Sequence, residues 1–261
     1  MIDRPTPALI GVVHLPALPG SPAGMFSMEE ITERAVGDAR VLRDAGFDAV
    51  IVENFGDAPF TANELPPASI AGMAIAAEHI RRDVGIRIGI NALRNDAQSA
   101  LGIAAAVGAA FVRVNLHTGV AATDQGMLEG KADQTLRYRK QLGRSIAILA
   151  DVHVKHAVAI SEPDLAQAAR TTAYRGLADG LIVTGPATGE AANLDDVKCV
   201  REAVPDRRVF VGSGVTAETV ATFLTAASGV IVGTAIKVDG RTDNPVDPAR
   251  ACAFARAAGR G

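Results

Sequence analysis

The sequence has no tryptophan, and aromatic residues make up only 4% of its 261 positions. A base-stacking platform or an aromatic shelf for sugar rings needs more flat side chains than that, so neither is expected, and small residues must dominate the packing. Cysteine is nearly as scarce, at two. Cys199 and Cys252 both fall in stretches with helical signals, and neither has a second cysteine or a histidine at metal-ligand spacing. That predicts reduced thiols rather than a disulfide framework or a zinc site. Neither sign of charge is in excess: 26 Lys and Arg stand against 29 Asp and Glu, a formal net charge of -3. Nucleic acid, whose phosphates call for a basic surface, is therefore not an expected partner. Long apolar runs are missing too. The longest near-apolar stretch, Leu101 to Val112, falls short of the roughly 18 residues of a membrane span. Met1–Pro5 lacks the basic start of a leader. A soluble, cytoplasmic protein without membrane insertion is the expectation.

What the chain does have is 48% hydrophobic residues, part of them gathered into eight short runs bounded by Gly, Asn or Asp. These are Leu9–Leu15, Ala49–Asn54, Ile86–Asn91, Phe111–Asn115, Ile146–Val152, Gly180–Gly185, Val209–Gly214 and Gly229–Thr234. Rich in Val and Ile, each reads as a buried strand. The stretches between them carry helix ends. Ser27 with Glu30 forms a capping box and Gly46 closes that helix; Asp247, Pro248 and Gly259 repeat an N-cap, first-turn proline and terminal glycine. Ser161 and Thr216 are the expected N-caps after the fifth and seventh runs. Eight strands starting about 31 residues apart match one strand, one helix and two short loops per unit, so an α/β fold with a single (β/α)8 TIM barrel is predicted over 1–261, after a short arm at 1–8. A doubly wound open sheet is the runner-up. Two long connections, Leu15–Met25 and Leu116–Gly130, follow strands and would lie on the catalytic face as covers over a ligand.

Barrels place catalytic groups at the carboxyl ends of their strands, so alternation picks the candidates. Inward faces would bring Glu53, Asn91, Arg113, Asn115, Asp151 and His153 to one mouth, with His14 and Lys155 nearby. Arg113 pairing with Glu53 or Asp151 simply to neutralise charge is the structural alternative for any one of them. As a set they suit acid/base work: Glu53 and Asp151 as proton carriers, with Asn91, Asn115 and Arg113 steadying negative charge. The two carboxylates could instead hold a hard cation such as Mg2+; no cofactor is firmly implied. The later strands end in small polar residues: Thr184-Gly185, continuing to Thr188-Gly189; Gly212-Ser213-Gly214 before Thr216; and Gly233-Thr234. Glycines let backbone N–H groups approach a phosphate, and the loops after strands seven and eight are the recurrent phosphate site of these barrels. No Gly-Lys-Ser/Thr follows a glycine-rich turn, so a nucleotide P-loop is absent. Asp124, Gln125 and Glu129 fall in the second covering loop. Lys155 and Lys237 lie beyond their strands, which favours solvated or phosphate-paired roles over imine chemistry. His117, His153 and His156 do not make a zinc set.

The chain also resembles the BtpA/SgcQ family, along nearly its whole length. The matching segments are Ile10–Pro16 with Pro19–Pro22, Val52–Phe60, Gly89–Asn91 with Leu93–Asp96, Arg113–Asn115, Thr123–Gly126, Ala150–His156, Val183–Gly185, Gly212–Thr216 and Gly233–Thr234. Ala17 interrupts the proline-rich first loop. The resemblance implies a phosphate-binding type of barrel, a link to carbohydrate metabolism through sugar uptake and catabolism, and, through the member that names the family, a role in photosystem I biogenesis. The expectation drawn from residues and resemblance together is an enzyme, an isomerase, epimerase or lyase, acting on a small phosphorylated metabolite such as a sugar phosphate by proton transfer or aldol-type cleavage. A non-enzymatic assembly or stability factor, or a sugar-phosphate sensor, is the alternative. A homo-oligomer is compatible with either.

Overall fold

The computed structural model describes residues 7–62, 64–185 and 190–260; Met1–Pro5, Thr188 and Gly189, named above, lie outside them. All eight expected runs form strands: β1 Ala8–His14, β2 Ala49–Glu53, β3 Arg87–Asn91, β4 Phe111–Val114, β5 Ala147–Val152, β6 Gly180–Val183, β7 Arg208–Val211 and β8 Gly229–Val232. They pair in parallel and close into one barrel, β8 returning to β1. Helices α1 Met28–Asp44, α2 Pro67–Asp83, α3 Ala97–Val107, α4 Ala132–Leu142, α5 Leu165–Arg170, α6 Leu194–Ala203, α7 Val220–Leu224 and α8 Pro248–Ala257 connect them.

Alternation divides each strand between two cores. One face of every strand packs against the helices, where Leu9, Val50, Ile90, Val112 and Ile148 meet helical residues such as Leu42, Met73 and Ala104. The other face fills the barrel with Ile10, Val12, Ile51, Phe111, Leu149, Ile182, Phe210 and Ile231. Phe111 and Phe210 are fully buried, and burying a phenyl ring contributes about 1.5–3 kcal/mol. Glycine makes the room: a Cβ on Gly89 would stand 2.2 Å from the Phe111 ring, and one on Gly180 would stand 2.8 Å from Leu149. With so few aromatic residues, two rings set against glycines fill the centre of the barrel.

Local signals set the helix ends. The Ser27 hydroxyl accepts from Glu30 N–H while the Glu30 carboxylate accepts from Ser27 N–H at 2.8 Å, the reciprocal capping box. Asp247 accepts from Ala249 and Arg250 N–H groups ahead of α8. Two expected caps differ. Asp164, not Ser161, caps α5 by accepting from Gln167 N–H at 2.7 Å. The Ser161 hydroxyl instead accepts from Val120 N–H, because a proline and two more residues separate it from the helix. Thr216 heads a turn whose carbonyl accepts from Val220 N–H at 2.9 Å, so α7 starts one turn later.

The two covering loops behave differently. Leu116–Gly130 folds into a hairpin of Val120–Thr123 and Gly126–Glu129, and Ala157–Ala159, from the connection after β5, adds a third antiparallel strand. The first loop is pinned to the end of β2: Leu15 N–H donates to the Glu53 carbonyl at 2.8 Å, and Leu18 N–H donates to Asp57 at 2.8 Å. No described helix is long and apolar enough to cross a membrane.

Candidate active site

The strand register builds the site. His14, Glu53, Asn91 and Arg113 are successive register partners on β1 to β4, forming one polar row at the carboxyl end of the barrel. Each occupies the inward parity of its strand, above apolar residues on β1, β2 and β4 and above Gly89 on β3. Glu53 is 4% exposed. Its nearest charged or chargeable partner is His14, Nε2 to Oε1 3.7 Å, with the imidazole resting on Phe55 at 4.8 Å between ring centroids. Burial, with added repulsion from Lys237, Lys155 and Arg113, pushes His14 well below the usual histidine range, so a neutral ring faces Glu53 at neutral pH.

Two cavities open onto this row and share Glu53 and Lys155 as lining. One, of about 230 Å3, is bounded by His14, Arg113, the 212–216 loop after β7 and the 233–235 loop after β8. The other, of about 440 Å3, lies on the lid side and is lined by Phe55, Phe60, Leu93, Arg94, Asn115, Asp124, Gln125 and His156. Lys155 reaches both cavities from the loop after β5 and forms no ion pair among the described residues. Burial, then the Arg113 guanidinium, lowers its pKa below the usual lysine value. It is half-buried at the mouth, so of the two roles expected of it the fully solvated one does not hold and the phosphate-paired one stays open.

Several predicted residues occupy other places. Asp151 is engaged: Arg113 donates to both its oxygens at 2.9 Å, and Asn115 Nδ2 donates to it at 3.2 Å. This is the charge-neutralising pair, and it leaves Glu53 as the carboxylate facing both cavities. Asn91 Nδ2 donates to Asn115 Oδ1 at 2.9 Å, holding Asn115 from behind. His153 lies one residue past the end of β5, with φ +53°, and its Nε2 meets the Glu162 carbonyl at 2.9 Å, away from the mouth. Strand alternation ends with the strand, which is why extrapolating it to His153 fails. Thr184 and Gly185 line a separate cavity behind the lid sheet with His153. Glu129 lies at the open end of the hairpin, beside Gln98 and Lys131. Asp124 and Gln125 form the hairpin turn and do reach the lid-side cavity.

The glycine-rich segments divide in the same way. Gly212 N–H donates to Val183 O at 2.8 Å and Gly185 N–H to Ser213 Oγ at 2.6 Å, so those two groups hold β6 and β7 together. Gly214, at φ +66°, turns the chain so closely over Ala191 that a Cβ would stand 2.2 Å from its backbone. Gly233 leaves space for His14, whose Cε1 would stand 2.6 Å from a Cβ there. The N–H groups of Gly214, Val215, Gly233 and Thr234 take no acceptor among the described residues and lie along the smaller cavity.

Arg94 is the site residue that strand-end reasoning missed. It sits on the loop after β3, 3% exposed. The Asn54 side chain accepts from Leu93 N–H at 2.7 Å and donates to the Leu93 carbonyl, while Asn95 exchanges two bonds with Leu116. The signal available was the run of polar residues Arg94-Asn95-Asp96 right after a strand. Lys237, expected near solvent or phosphate, is 1% exposed and donates to Asp38 on α1 at 2.6 Å. It ties the segment after β8 to the outer helices. His117 is buried against the Gly176 carbonyl at 2.8 Å. Among the described residues no three His, Cys, Asp or Glu side chains converge as metal ligands.

A closed (β/α)8 barrel with a polar, two-chambered mouth at the carboxyl ends of its strands defines the class of this protein. Solved structures share that fold. The native KDPGal structure superposes with a TM-score of 0.60 at 18% identity, covering 98% of this chain and 95% of that chain. N-(5'-phosphoribosyl)anthranilate isomerase from Pyrococcus furiosus gives 0.57 at 15% identity, covering 97% and 98%. Sequence narrows the class: the BtpA family model matches residues 6–260, and the chain belongs to the BtpA family. It is similar to the photosystem I biogenesis protein BtpA of Synechocystis, 45% identical over 97% of this chain and 88% of the relative. An uncharacterized protein of Pyrococcus furiosus is 46% identical over 96% and 94% of the two chains. An uncharacterized mitochondrial protein of Caenorhabditis elegans is 32% identical over 97% and 94%.

Proposed function

We propose that the chain is an enzyme that moves a proton on a small phosphorylated metabolite of the sugar-phosphate type, with Glu53 and Lys155 at the reacting centre. The observation that carries this is the shared wall: one buried carboxylate whose neighbour is the neutral His14 ring, and one half-buried lysine with no carboxylate at ion-pair distance among the described residues, border both cavities. The phosphate occupies the smaller cavity, where the N–H groups of Gly214, Val215, Gly233 and Thr234 supply donors. The rest of the substrate extends past Glu53 into the larger one. Glu53 takes a proton from a carbon next to a carbonyl, and Lys155, whose lowered pKa makes it a readier acid, gives one to the oxygen that gains charge. Acid/base contributions of this kind are worth roughly 10²–10⁴ in rate. Asn115, held by Asn91, orients the substrate from the lid side, and Arg113 and Asp151 fix the wall behind it. Aldol-type cleavage uses the same two proton carriers.

The test is a thermal-shift titration with sugar phosphates, their unphosphorylated parents and inorganic phosphate, on wild type and Thr234→Asp. Binding to the native state raises the melting temperature. A shift with phosphorylated compounds that disappears in the variant supports the phosphate site; turnover assays on the compounds that bind then follow. No shift from any of them refutes it. The name of the Synechocystis relative favours a second reading, an assembly factor, which predicts that Glu53→Gln leaves the biological role intact.

A further inference from the structure

The buried cations of this barrel differ in one respect. Arg113 has Asp151 at 2.9 Å and Lys237 has Asp38 at 2.6 Å. Arg94, only 3% exposed, has no carboxylate within ion-pair distance among the described residues. One of its terminal nitrogens donates to the Lys155 carbonyl at 2.5 Å, and its Nε is buried with no hydrogen-bond partner among the described residues. A buried guanidinium left this way is costly, and removing a partner from such a group is among the more destabilising changes known. The fold nevertheless holds it rigidly, since Asn54 grips the backbone on one side and Asn95 on the other. Its side chain lines the 440 Å3 lid-side cavity.

We infer that Arg94 receives a carboxylate carried by the same ligand whose phosphate lies in the smaller cavity, so that the substrate is a phosphorylated hydroxy- or keto-acid. The inference rests on the reading given under Proposed function. A planar carboxylate matches two parallel N–H groups of a guanidinium, and Arg94 has an unused Nε–H beside its terminal nitrogens. Lys155 and Asn115, on the same wall, add donors. The lining carboxylates are Glu53, the proton carrier, and Asp124, which accepts from Gln125 in the lid turn. With phosphate on one side of Glu53 and carboxylate on the other, the carbon between them is presented to Glu53, and the Arg94 charge favours electron density moving onto the carboxylate as the proton leaves. Burial, the main influence on Arg94, disfavours its charge until an anion arrives.

The experiment is isothermal titration calorimetry on wild type, Arg94→Gln and Arg94→Lys with matched probes at two chain lengths: 3-phosphoglycerate against glycerol 3-phosphate, and 6-phosphogluconate against glucitol 6-phosphate. Glycerate, gluconate and inorganic phosphate complete the set. Wild type is expected to favour the carboxylated member of at least one pair by roughly 10- to 100-fold, the worth of a hydrogen-bonded charge pair. Arg94→Gln removes that preference and leaves inorganic phosphate binding unchanged. Arg94→Lys, which keeps the charge without the fork, retains part of it and serves where the Gln variant does not fold. Equal binding of both members by wild type, or a preference that survives in Arg94→Gln, overturns the inference. Uniform weakening of every probe overturns it too, because Arg94 then only holds the Lys155 carbonyl. If no phosphorylated probe binds, the phosphate reading fails by itself, and glycerate and gluconate decide: Arg94-dependent binding sustains the carboxylate site, and no binding ends it.

Discussion

Removing Asp151 should damage stability far more than a surface change would. Its carboxylate is fully enclosed and takes two hydrogen bonds of 2.9 Å from a guanidinium whose own side chain is 2% exposed, plus one from Asn115. Asp151→Ala leaves that guanidinium buried without a counter-charge, which costs about 3–5 kcal/mol. With a urea m-value of about 3 kcal/mol/M, the unfolding midpoint falls by roughly 1–1.7 M. Far-UV circular dichroism of wild type and variant at neutral pH reads it directly. The double variant Arg113→Met/Asp151→Ala carries no orphaned charge and is expected to recover at least half of the loss, because an apolar chain of similar length fills the space. A single variant within roughly 0.3 M of wild type, or a double variant no better than the single one, refutes the reasoning that this pair exists to neutralise the barrel wall.

Glu53→Gln is expected to abolish turnover of a bound phosphorylated substrate, by roughly 10²–10⁴ in kcat, while calorimetric affinity for inorganic phosphate stays within about threefold; an active variant removes Glu53 from the chemistry. Gly89→Ala drives a methyl into the Phe111 ring, 2.2 Å away, and should cost about 1–3 kcal/mol in urea unfolding, with Phe111→Leu in the same chain relieving part of it. His14 has its pKa lowered by burial from 6.5, so below that value the unfolded chain takes up a proton that the folded one refuses, and stability falls as pH falls towards the folded-state value. His14→Gln should therefore lose less stability than wild type between pH 8 and pH 5, by up to about 2 kcal/mol; equal losses would show that His14 protonates freely in the fold.

The barrel was legible because apolar runs of the right length recur eight times with caps between them, and each run became a strand within three residues of its expected bounds. The polar row His14, Glu53, Asn91 and Arg113 was legible for a related reason: inside a strand, parity fixes which face a side chain takes. Beyond the strand, parity has no hold. His153 turns away through a left-handed backbone, while Lys155, two residues further on, comes back to the mouth. Asp151 and Glu53 look equivalent in sequence, and only the reach of Arg113 to the neighbouring strand separates the partnered carboxylate from the available one. Arg94 depends on Asn54 and Asn95, contacts 39 and 21 residues apart in the chain, which no local pattern encodes.

The wall formed by Glu53 and Lys155 also has a use in inhibitor discovery. Because both chambers touch the same two residues, a weak fragment seated in each lies within a short tether of the other. Joining them turns the second contact into an intramolecular one at an effective concentration of the order of millimolar, and the linked compound gains on either fragment by roughly 10²–10⁴ in affinity without any new contact. Screening the chambers separately and building across Glu53 is thus a more direct route to a tight ligand than enlarging a compound within either chamber.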